Sequence, residues 1–249
     1  MLYRYQKRFG NVITQNFHSW RKKLVIQKIG IIGGTGKEGK GLAFRWARAG
    51  FEILIGSRQI EKAQLAAEEI NNLLGKGSKK VKGVDNLQAA ENGDIVVLTV
   101  PFSAHQTMVK DIASVIKNKI LIDVTVPLVP PKVTKVQMPP AGSAAQEAKL
   151  LVDETTEVVA AFQNISYESL MHDVDIDCDV LVTGSSKAAR TEVLALVERA
   201  GMIGWDAGPI ENSVVVEGLT SILIGLNKEF GSITAGIKIT GISRNHARQ

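Results

Sequence analysis

Residues 28–41, KIGIIGGTGKEGKG, decide the fold of this chain. Three isoleucines in the first five residues predict a buried strand, and the glycines that follow predict a turn into a helix. Gly34, Gly36 and Gly39 have the G-x-G-x-x-G spacing of dinucleotide-binding turns. In that motif the first glycine permits the tight turn, the second lets the backbone approach a pyrophosphate, and the third lets helix and strand pack closely. Glycine-rich turns also join strands to helices without a ligand, so the motif alone leaves both interpretations open.

Length and composition are typical of a globular protein. A chain of 249 residues is long enough for one α/β domain with a smaller appendage. The single cysteine, Cys178, excludes an internal disulfide and cysteine-based metal clusters, and it suits a reducing compartment. No uninterrupted apolar run reaches the ~18 residues that a membrane span requires. We therefore expect a cytoplasmic protein that binds neither a membrane nor a metal.

The positive charge of the chain is concentrated in its first residues. Residues 1–27 contain six lysines and arginines and no acidic residue, whereas the whole chain has a net charge of +5. Residues 28–249 therefore have a net charge of −1, which gives little support to nucleic-acid binding. The basic segment is compatible with a targeting peptide, a basic tail or translated sequence upstream of the true start. We expect a poorly ordered extension, because terminal segments without packing partners stay mobile.

After the glycine turn, apolar strands alternate with amphipathic helices. Such alternation predicts βαβ units and an α/β fold with a doubly wound parallel sheet of the Rossmann type. We expect further strands at residues 51–55, 81–84, 94–100, 119–123, 157–162, 180–183 and 201–205. We expect helices at residues 40–49, 59–74, 86–92, 104–116, 143–151 and 186–200.

Two later regions interrupt this alternation. Residues 126–142 contain five prolines, which remove backbone donors and disfavour helix, so they predict a long and functional loop. From residue 211 onward the chain is mostly apolar and helical, which favours either a lid on its own sheet or a surface for a substrate or a second subunit. We therefore divide the chain into an extension at 1–27, a nucleotide-binding Rossmann domain at 28–207 and a small helical domain at 208–249.

The residues after the second expected strand favour NADP over NAD. An NAD-binding fold normally carries an acidic residue here, which accepts a hydrogen bond from the ribose 2′-hydroxyl. This chain has Ser57 and Arg58 instead, and Lys62 follows one helical turn later. Arginine offers planar paired donors and lysine a point charge, so these side chains suit a dianionic 2′-phosphate. A solvent-exposed basic helix start is the alternative interpretation.

The end of the strand expected at 94–100 is the predicted place for the nicotinamide. Ligands bind at the carboxyl ends of such strands, so Val100 and Pro101 would lie under the nicotinamide ribose, with Phe102 beside the ring. A strand stopped by proline, with a phenylalanine in the core, is the alternative. His105 is a candidate ligand contact, and a helix cap or a surface residue is the alternative.

No group of residues predicts acid–base or metal chemistry. Residues 173–179 contain four aspartates, but their alternation with apolar residues favours a half-exposed strand edge over a metal site. Hydride transfer requires two rings at close approach and little else, so the lack of an acid–base set agrees with a redox enzyme. We therefore assign no catalytic side chain from the sequence.

Seven segments of the chain resemble the NADPH-dependent reductases of the deazaflavin coenzyme F420, the F420H2:NADP+ oxidoreductases. The resemblance covers residues 28–242, and the order and spacing of its segments are more specific than the glycine motif. The segments are GGTGKEGKGLA (33–43), GSRQIEKA (56–63), DIVVLTVPF (94–102), PLVP (127–130), GSAA (142–145), DAGPIENS (206–213) and VEGLT (216–220). The resemblance implies a reversible and direct hydride transfer between nicotinamide C4 of NADP and C5 of coenzyme F420, as well as a homodimer.

The resemblance also implies which residues contact the two coenzymes. For the pyrophosphate, the 2′-phosphate and the nicotinamide of NADP, it implies Thr35, Gly36, Lys37, Glu38, Ser57, Arg58, Lys62, Val100 and Pro101, together with Ile165 and Ser166. For coenzyme F420, it implies Gln163, Asn164, Thr220 and Ile224.

Two departures from the family pattern concern the substrate side. The family has His-Thr-Ile-Pro-Ala where this chain has Gln-Asn-Ile-Ser at residues 163–166, without the histidine or the proline. In addition, His105 lies one position from the histidine that the family has after the fourth strand. Two other functions therefore stay open: an NADP-dependent reductase of another acceptor, such as an imine, a flavin or a metal-bound carrier, and a non-catalytic NADP-sensing module.

Overall fold

The sheet expected from the sequence is present in a computed structural model, which describes residues 26–75, 78, 80–172 and 175–243. Within those residues, eight strands form one sheet in the order β3-β2-β1-β4-β5-β6-β7-β8. The strands are β1 Lys28–Ile32, β2 Glu52–Ser57, β3 Val81–Asp85, β4 Ile95–Leu98, β5 Ile120–Asp123, β6 Glu157–Ala160, β7 Asp179–Gly184 and β8 Ile203–Pro209.

The strand order creates a crevice at one edge of the sheet. β1 pairs in parallel with β2 on one side and with β4 on the other, so the winding of the chain reverses at β1. Open α/β sheets bind ligands at this switch point, outside the carboxyl ends of the strands. The prediction of a parallel sheet is correct for every pair of neighbouring strands except β6 and β7, which are antiparallel. As a result, the segment between β6 and β7 begins and ends at the carboxyl edge of β6, close to the crevice.

Helices cover both faces of this sheet. They are α1 Lys37–Arg48, α2 Ile60–Leu74, α3 Asn86–Asn92, α4 Phe102–Ile112, α5 Ala144–Leu151, α6 Tyr167–Leu170, α7 Lys187–Arg199 and α8 Ser213–Phe230, with a 3₁₀ helix at Ile210–Asn212. Three of them have a side-chain N-cap: Asp85 for α3, Ser143 for α5 and Ser186 for α7 each accept a hydrogen bond from a backbone N–H of the first turn.

Two hydrophobic clusters lie on opposite faces of the sheet. Alternate residues of β1 divide between them, so that Ile29 and Ile31 join one cluster and Ile32 joins the other. Strands buried on both faces are typical of parallel sheets between two helical layers. In the larger cluster, the Trp46 and Phe162 rings meet edge to face, with centroids 5.6 Å apart. This contact packs α1 against the chain that leaves β6.

Some boundaries differ from those expected. α1 begins at Lys37 instead of residue 40, because Gly36 already has the extended conformation of an N-cap. β8 begins at Ile203 instead of residue 201, because Gly201 has a φ of 84°, which a strand does not tolerate. The short helix α6 is not expected from the sequence. The division proposed between residues 207 and 208 stays a prediction, and it falls inside β8.

Two expectations fall partly on residues outside the described ranges. Residues 1–25 of the expected extension lie outside them, whereas Ile26 packs against the core and the Gln27 backbone N–H donates to Asp94. Of the strand edge expected at 173–179, residues 173 and 174 are not described, 175–178 have no regular structure, and β7 begins at Asp179. Among the described residues, no helix combines the length and apolarity needed to cross a membrane.

Candidate functional site

A single cleft of about 1230 Å³ joins most of the residues selected from the sequence. It is bordered by the turn after β1, the ends of β2, β4 and β5, the proline loop, the segment after β6, and α8. The predicted residues that line it are Thr35, Gly36, Lys37, Glu38, Gly39, Ser57, Arg58, Val100, Pro101, Phe102, Gln163, Asn164, Ile165, Ser166, Thr220 and Ile224. Gly34, Lys62 and His105 do not line it.

The glycine turn leaves open space where a phosphate would bind. A Cβ on Gly36 would have a single neighbour within 4 Å, the Gly33 carbonyl oxygen at 3.9 Å. Gly36 is the N-cap of α1 and provides no side-chain cap, so backbone N–H groups of the first turn are available to a ligand. This arrangement fits the pyrophosphate of a dinucleotide.

The two other glycines of the motif act within the fold. A Cβ on Gly39 would lie 2.6 Å from Gly34 Cα, so the third glycine permits close packing as expected. The tight turn, however, depends on Gly33, the residue before the motif, because Gly33 has a left-handed φ of 70°. Gly34 instead donates its N–H to the Gly56 carbonyl at 3.0 Å, which ties the turn to the end of β2.

Charged side chains lie on both sides of the first turn of α1. Lys37 Nζ is 3.1 Å from Glu168 Oε1 and 4.6 Å from the centroid of the Tyr167 ring. The hydrogen bond and the charge of Glu168 raise the pKa of Lys37. Desolvation raises the pKa of the half-buried Glu38 to about 8, which reduces the repulsion between its carboxyl group and a nearby phosphate.

The end of β2 offers cations without a competing carboxylate. Ser57 is buried, and its hydroxyl accepts a hydrogen bond from the Gln59 backbone N–H at 3.2 Å. Arg58 is exposed, lines the cleft and forms no ion pair with the described residues. The guanidinium is therefore free to form paired hydrogen bonds with a phosphate. Lys62 lies on α2 outside the cleft lining, so its predicted contact depends on the reach of its side chain.

The ends of β4 and β5 form the floor of the cleft. Thr99 lines the cleft and donates its hydroxyl to the Ile32 carbonyl at 3.0 Å, which links the ends of β4 and β1. Thr125 donates its hydroxyl to the Val100 carbonyl at 3.4 Å and its N–H to Asp123 Oδ1 at 3.0 Å. Pro101 extends this floor, which is rigid and largely apolar and suits a planar ring.

His105 is not placed as the sequence suggested. Its side chain is fully buried, with Nε2 2.7 Å from Asp123 Oδ2 and Nδ1 3.2 Å from Glu147 Oε1. Burial disfavours the imidazolium, but the hydrogen bonds and charges of these two carboxylates outweigh it and raise the pKa of His105. The histidine is therefore a core group that supports the cleft from behind, stacked under Phe102 with ring centroids 6.1 Å apart.

A second buried carboxyl group, missed by the sequence analysis, joins α8 to α5. Glu217 is fully buried and accepts hydrogen bonds from the backbone N–H groups of Ala144 at 2.7 Å and Ala145 at 3.1 Å. Beside it, the hydroxyl groups of Ser143 and Ser213 are 2.9 Å apart. A glutamate among apolar residues of α8, in the segment VEGLT, was the available signal.

The segment after β6 forms part of the wall of the cleft. Gln163 donates its side-chain N–H to the Asp123 carbonyl at 2.7 Å. Asn164 donates its side-chain N–H to the Val216 carbonyl at 2.9 Å, and Thr220 donates its hydroxyl to the Gln163 carbonyl at 2.8 Å. These bonds tie the segment to β5 on one side and to α8 on the other.

The described residues contain no metal site. No group of three histidine, cysteine, aspartate or glutamate side chains within them is arranged to hold a metal ion. Cys178 is a buried free cysteine, and burial raises the pKa of its thiol.

Comparisons with known proteins identify related sequences. A family model described as "NADP oxidoreductase coenzyme F420-dependent" matches residues 28–127. An F420-dependent NADP reductase of Methanothermobacter thermautotrophicus is 37% identical over 226 residues, covering 88% of this chain and 97% of that protein. Another protein of the same description, from Methanocaldococcus jannaschii, is 37% identical over 223 residues, covering 86% of this chain and 99% of that protein.

A solved structure extends the likeness to the fold. It comes from Arthrobacter sp. FB24 and carries a provisional description as an F420-dependent NADP reductase. Its TM-score is 0.71 at 25% sequence identity, and the match covers 86% of this chain and 99% of that one.

Proposed function

Since this chain belongs to the F420-dependent NADP reductase family, we propose that it catalyses reversible hydride transfer between NADP(H) and coenzyme F420. One observation carries the proposal: the phosphate-binding turn and the wall formed by residues 163–166 and α8 line the same cleft. Ligand sites for one small molecule have volumes of about 300–1,000 Å³. The cleft, at about 1230 Å³, is larger than that and fits the reacting parts of two coenzymes.

The first half of the cleft binds and orients NADP. Backbone N–H groups of the first turn of α1, at Lys37 and Glu38, hold the pyrophosphate, and Arg58 with Ser57 holds the 2′-phosphate. Val100 and Pro101 then set the position of the nicotinamide on the floor of the cleft. These contacts leave one face of the nicotinamide toward the segment after β6.

The second half encloses the deazaflavin and keeps water out. Thr220 and Ile224 of α8 line the cleft together with Gln163 and Asn164 of the segment after β6. The bound coenzymes supply the chemistry, in which a hydride moves between nicotinamide C4 and deazaflavin C5. The residues of the chain bring the two carbons together and exclude solvent, which is the contribution that such a transfer requires.

A direct assay tests this proposal. NADPH is mixed with oxidised F420 and the protein, and the visible absorbance of the deazaflavin is followed. Bleaching that depends on the protein supports F420 reduction. No bleaching, together with turnover of FMN or an imine, would show a reductase of another acceptor, and tight NADPH binding without any turnover would show a sensor.

We also propose that the protein is a homodimer. Val215, Ile222, Leu226 and Phe230 are exposed on α8 at intervals of seven and four residues, which places them along one side of the helix. A continuous exposed apolar stripe of this kind is typical of an interface. Sedimentation equilibrium should give twice the chain mass of 26.9 kDa. The double variant Leu226→Glu/Phe230→Glu should give the mass of one chain, and a monomeric unaltered protein would contradict the proposal.

A cytoplasmic location is proposed on separate grounds. The single cysteine is buried and unpaired, as is common in a reducing compartment. Fractionation of source cells, with detection of the protein in the cytoplasmic fraction, would test it. Recovery from another compartment would contradict it.

A further inference from the structure

Asn86, the first residue of α3, lines the cleft and binds the glycine turn through its side-chain oxygen. Asn86 Oδ1 accepts a hydrogen bond from the Gly33 N–H at 3.1 Å. We propose that the amino group of the same side chain, Nδ2, donates a hydrogen bond to the 2′-phosphate of NADP(H), beside Ser57 and Arg58. The inference rests on the NADP half of the function proposed above and does not depend on the acceptor.

The register of the sheet places Asn86 next to Arg58. β2 and β3 are parallel, and Ser57 is paired with Asp85 at their carboxyl ends. Arg58 and Asn86 are the residues that follow this pair along the chain, and both line the cleft. A phosphate that Arg58 binds at this edge of the sheet would therefore lie beside Asn86.

Three neighbouring elements hold Asn86 in place. A Cβ on Gly56 of β2 would lie 2.8 Å from Asn86 Oδ1 and 3.0 Å from Asn86 Cα, so the close approach requires a glycine there. Gly33, which donates to Oδ1, follows β1 and has a left-handed φ. Asp85 accepts a hydrogen bond from the Gln88 N–H at 2.8 Å and thereby fixes the start of α3. The position of the amide is therefore set by the fold before a nucleotide binds.

The hydrogen bond to Gly33 determines which end of the amide is free. Rotating the amide by 180° would place Nδ2 against the Gly33 N–H, and two donors repel each other. Nδ2 has no hydrogen-bond partner among the described residues, and it is not one of their buried side-chain atoms without a partner. Its two N–H groups are therefore accessible, on a side chain that lines the cleft.

A phosphate oxygen is the acceptor that suits this donor. Arg58 supplies a positive charge, and the Ser57 hydroxyl oxygen already accepts a hydrogen bond from the Gln59 N–H. The amide of Asn86 adds N–H donors at a fixed position, and a hydrogen bond to a charged oxygen is stronger than one to a neutral oxygen. NAD carries a hydroxyl group in place of the 2′-phosphate, so it offers no charged oxygen there. Asn86 therefore adds to the preference for NADP over NAD.

Two nucleotide fragments isolate this contact. 2′,5′-ADP carries the 2′-phosphate and 5′-AMP lacks it, so the ratio of their dissociation constants measures how much that phosphate contributes to binding. Calorimetry gives this ratio for the unaltered chain, for Asn86→Ala, for Asn86→Asp and for the control Asn92→Ala. Asn92 is an exposed residue of the same helix and does not line the cleft.

The unaltered chain should bind 2′,5′-ADP more tightly than 5′-AMP. Asn86→Ala should lower this preference by about tenfold or more, the effect of one lost hydrogen bond to a charged group. Asn86→Asp should lower it at least as far, because a carboxylate replaces the donor. Asn92→Ala should change it by about twofold or less, as for a surface substitution away from the site.

The two variants of Asn86 separate the proposed contact from support of the turn. If Asn86 only supports the turn, Asn86→Ala will weaken both fragments equally, the preference will be unchanged, and the proposal is wrong. It is also wrong if Asn86→Asp, which keeps an acceptor for the Gly33 N–H, retains the full preference. Urea denaturation shows that each variant is folded, and Asn86→Asp tests the donor even if Asn86→Ala does not fold.

Failure of this inference differs from failure of the proposed function. If F420 is not the acceptor, the bleaching assay gives no signal, whereas the preference for 2′,5′-ADP still depends on Asn86. If only the inference is wrong, F420 is reduced and Asn86→Ala has the same preference as the unaltered chain. Neither fragment contains a nicotinamide, so the binding measurements are independent of hydride transfer.

Discussion

Glu217 of α8 accepts a 2.7 Å hydrogen bond from the backbone N–H of Ala144, the first residue of α5. The contact attaches the helix that carries Thr220 and Ile224 to the helix that follows the proline loop. Both oxygens of the carboxyl group are used, because Ala145 donates to the other. A buried carboxyl group at a helix N-terminus thus sets the position of one wall of the cleft.

Glu217 should make stability depend on pH. Burial, followed by the charge of Asp123, raises the pKa of Glu217 from 4.5 to about 8, although its two N–H donors oppose this. An acid with a raised pKa in the folded state contributes stability at low pH and loses it as the pH rises toward that pKa. The unfolding free energy should therefore fall between pH 4.5 and about 8, and Glu217→Gln should reduce the fall.

Urea denaturation at several pH values measures this effect. The raised pKa values of Glu38 and His105 act in the same direction, so Glu217→Gln should leave part of the slope in place. Glu61→Gln, at an exposed position on α2, serves as the control and should leave the pH dependence unchanged. Equal slopes for the unaltered chain and Glu217→Gln would contradict the assignment.

Arg58 should distinguish NADPH from NADH. Arg58→Ala removes the paired donors proposed for the 2′-phosphate and should cost roughly 1.5–3 kcal/mol of NADPH binding, as for a charge-assisted hydrogen bond. The KM for NADPH should rise accordingly, and that for NADH should change little. Lys62→Ala is the matched control, because Lys62 does not line the cleft, and its effect should be smaller. Equal losses for both nucleotides in Arg58→Ala would show that Arg58 does not contact the 2′-phosphate.

Two glycines of the motif should respond differently to the same substitution. Gly39→Ala places a methyl group 2.6 Å from Gly34 Cα, so the fold should lose about 1–3 kcal/mol of stability. Gly36→Ala meets no atom closer than 3.9 Å, so the fold should be retained while NADPH binding weakens. Denaturation and NADPH titration of both variants test this contrast. Unchanged NADPH affinity in Gly36→Ala would contradict the phosphate site.

The ion pair between Lys37 and Glu168 should weaken NADPH binding slightly. Glu168 places a negative charge beside the proposed pyrophosphate site and forms an ion pair with Lys37 at 3.1 Å. Glu168→Gln frees the lysine for the phosphates, so the KM for NADPH should fall by about two- to threefold, and by less at high salt. A rise in KM would indicate instead that Glu168 holds Lys37 in its binding position.

The sequence determined much of the fold because the information is local. The alternation of apolar strands with amphipathic helices predicts the fold. The absence of an acidic residue after β2 is likewise read directly from the sequence. The spacing of Gly36 and Gly39 likewise predicts two positions where another group must lie close to the backbone, because glycine has no side chain. The resemblance to F420-dependent NADP reductases, which rests on seven short segments, is confirmed by the related proteins.

Other features depend on distant contacts. His105 has the sequence context of a ligand contact, but Asp123 and Glu147, from β5 and α5, enclose it in the core. Gly33 was overlooked because a positive φ cannot be read from a run of two glycines. The antiparallel pairing of β7 depends on the path of residues 161–178, which local periodicity does not describe.

The amino-acid sequence by itself determined the class of fold, the glycine turn after β1, the choice of NADP and the family, because each depends on residue type and spacing. Only the tertiary structure decided which groups face the cleft and which support it. Gln163, Asn164 and Glu217 are all polar side chains in sequence, yet the buried amide oxygens of Gln163 and Asn164 have no hydrogen-bond partner among the described residues, whereas both oxygens of Glu217 accept one. Hydrogen-bond pairing across the fold makes that difference, since the partners are distant in sequence.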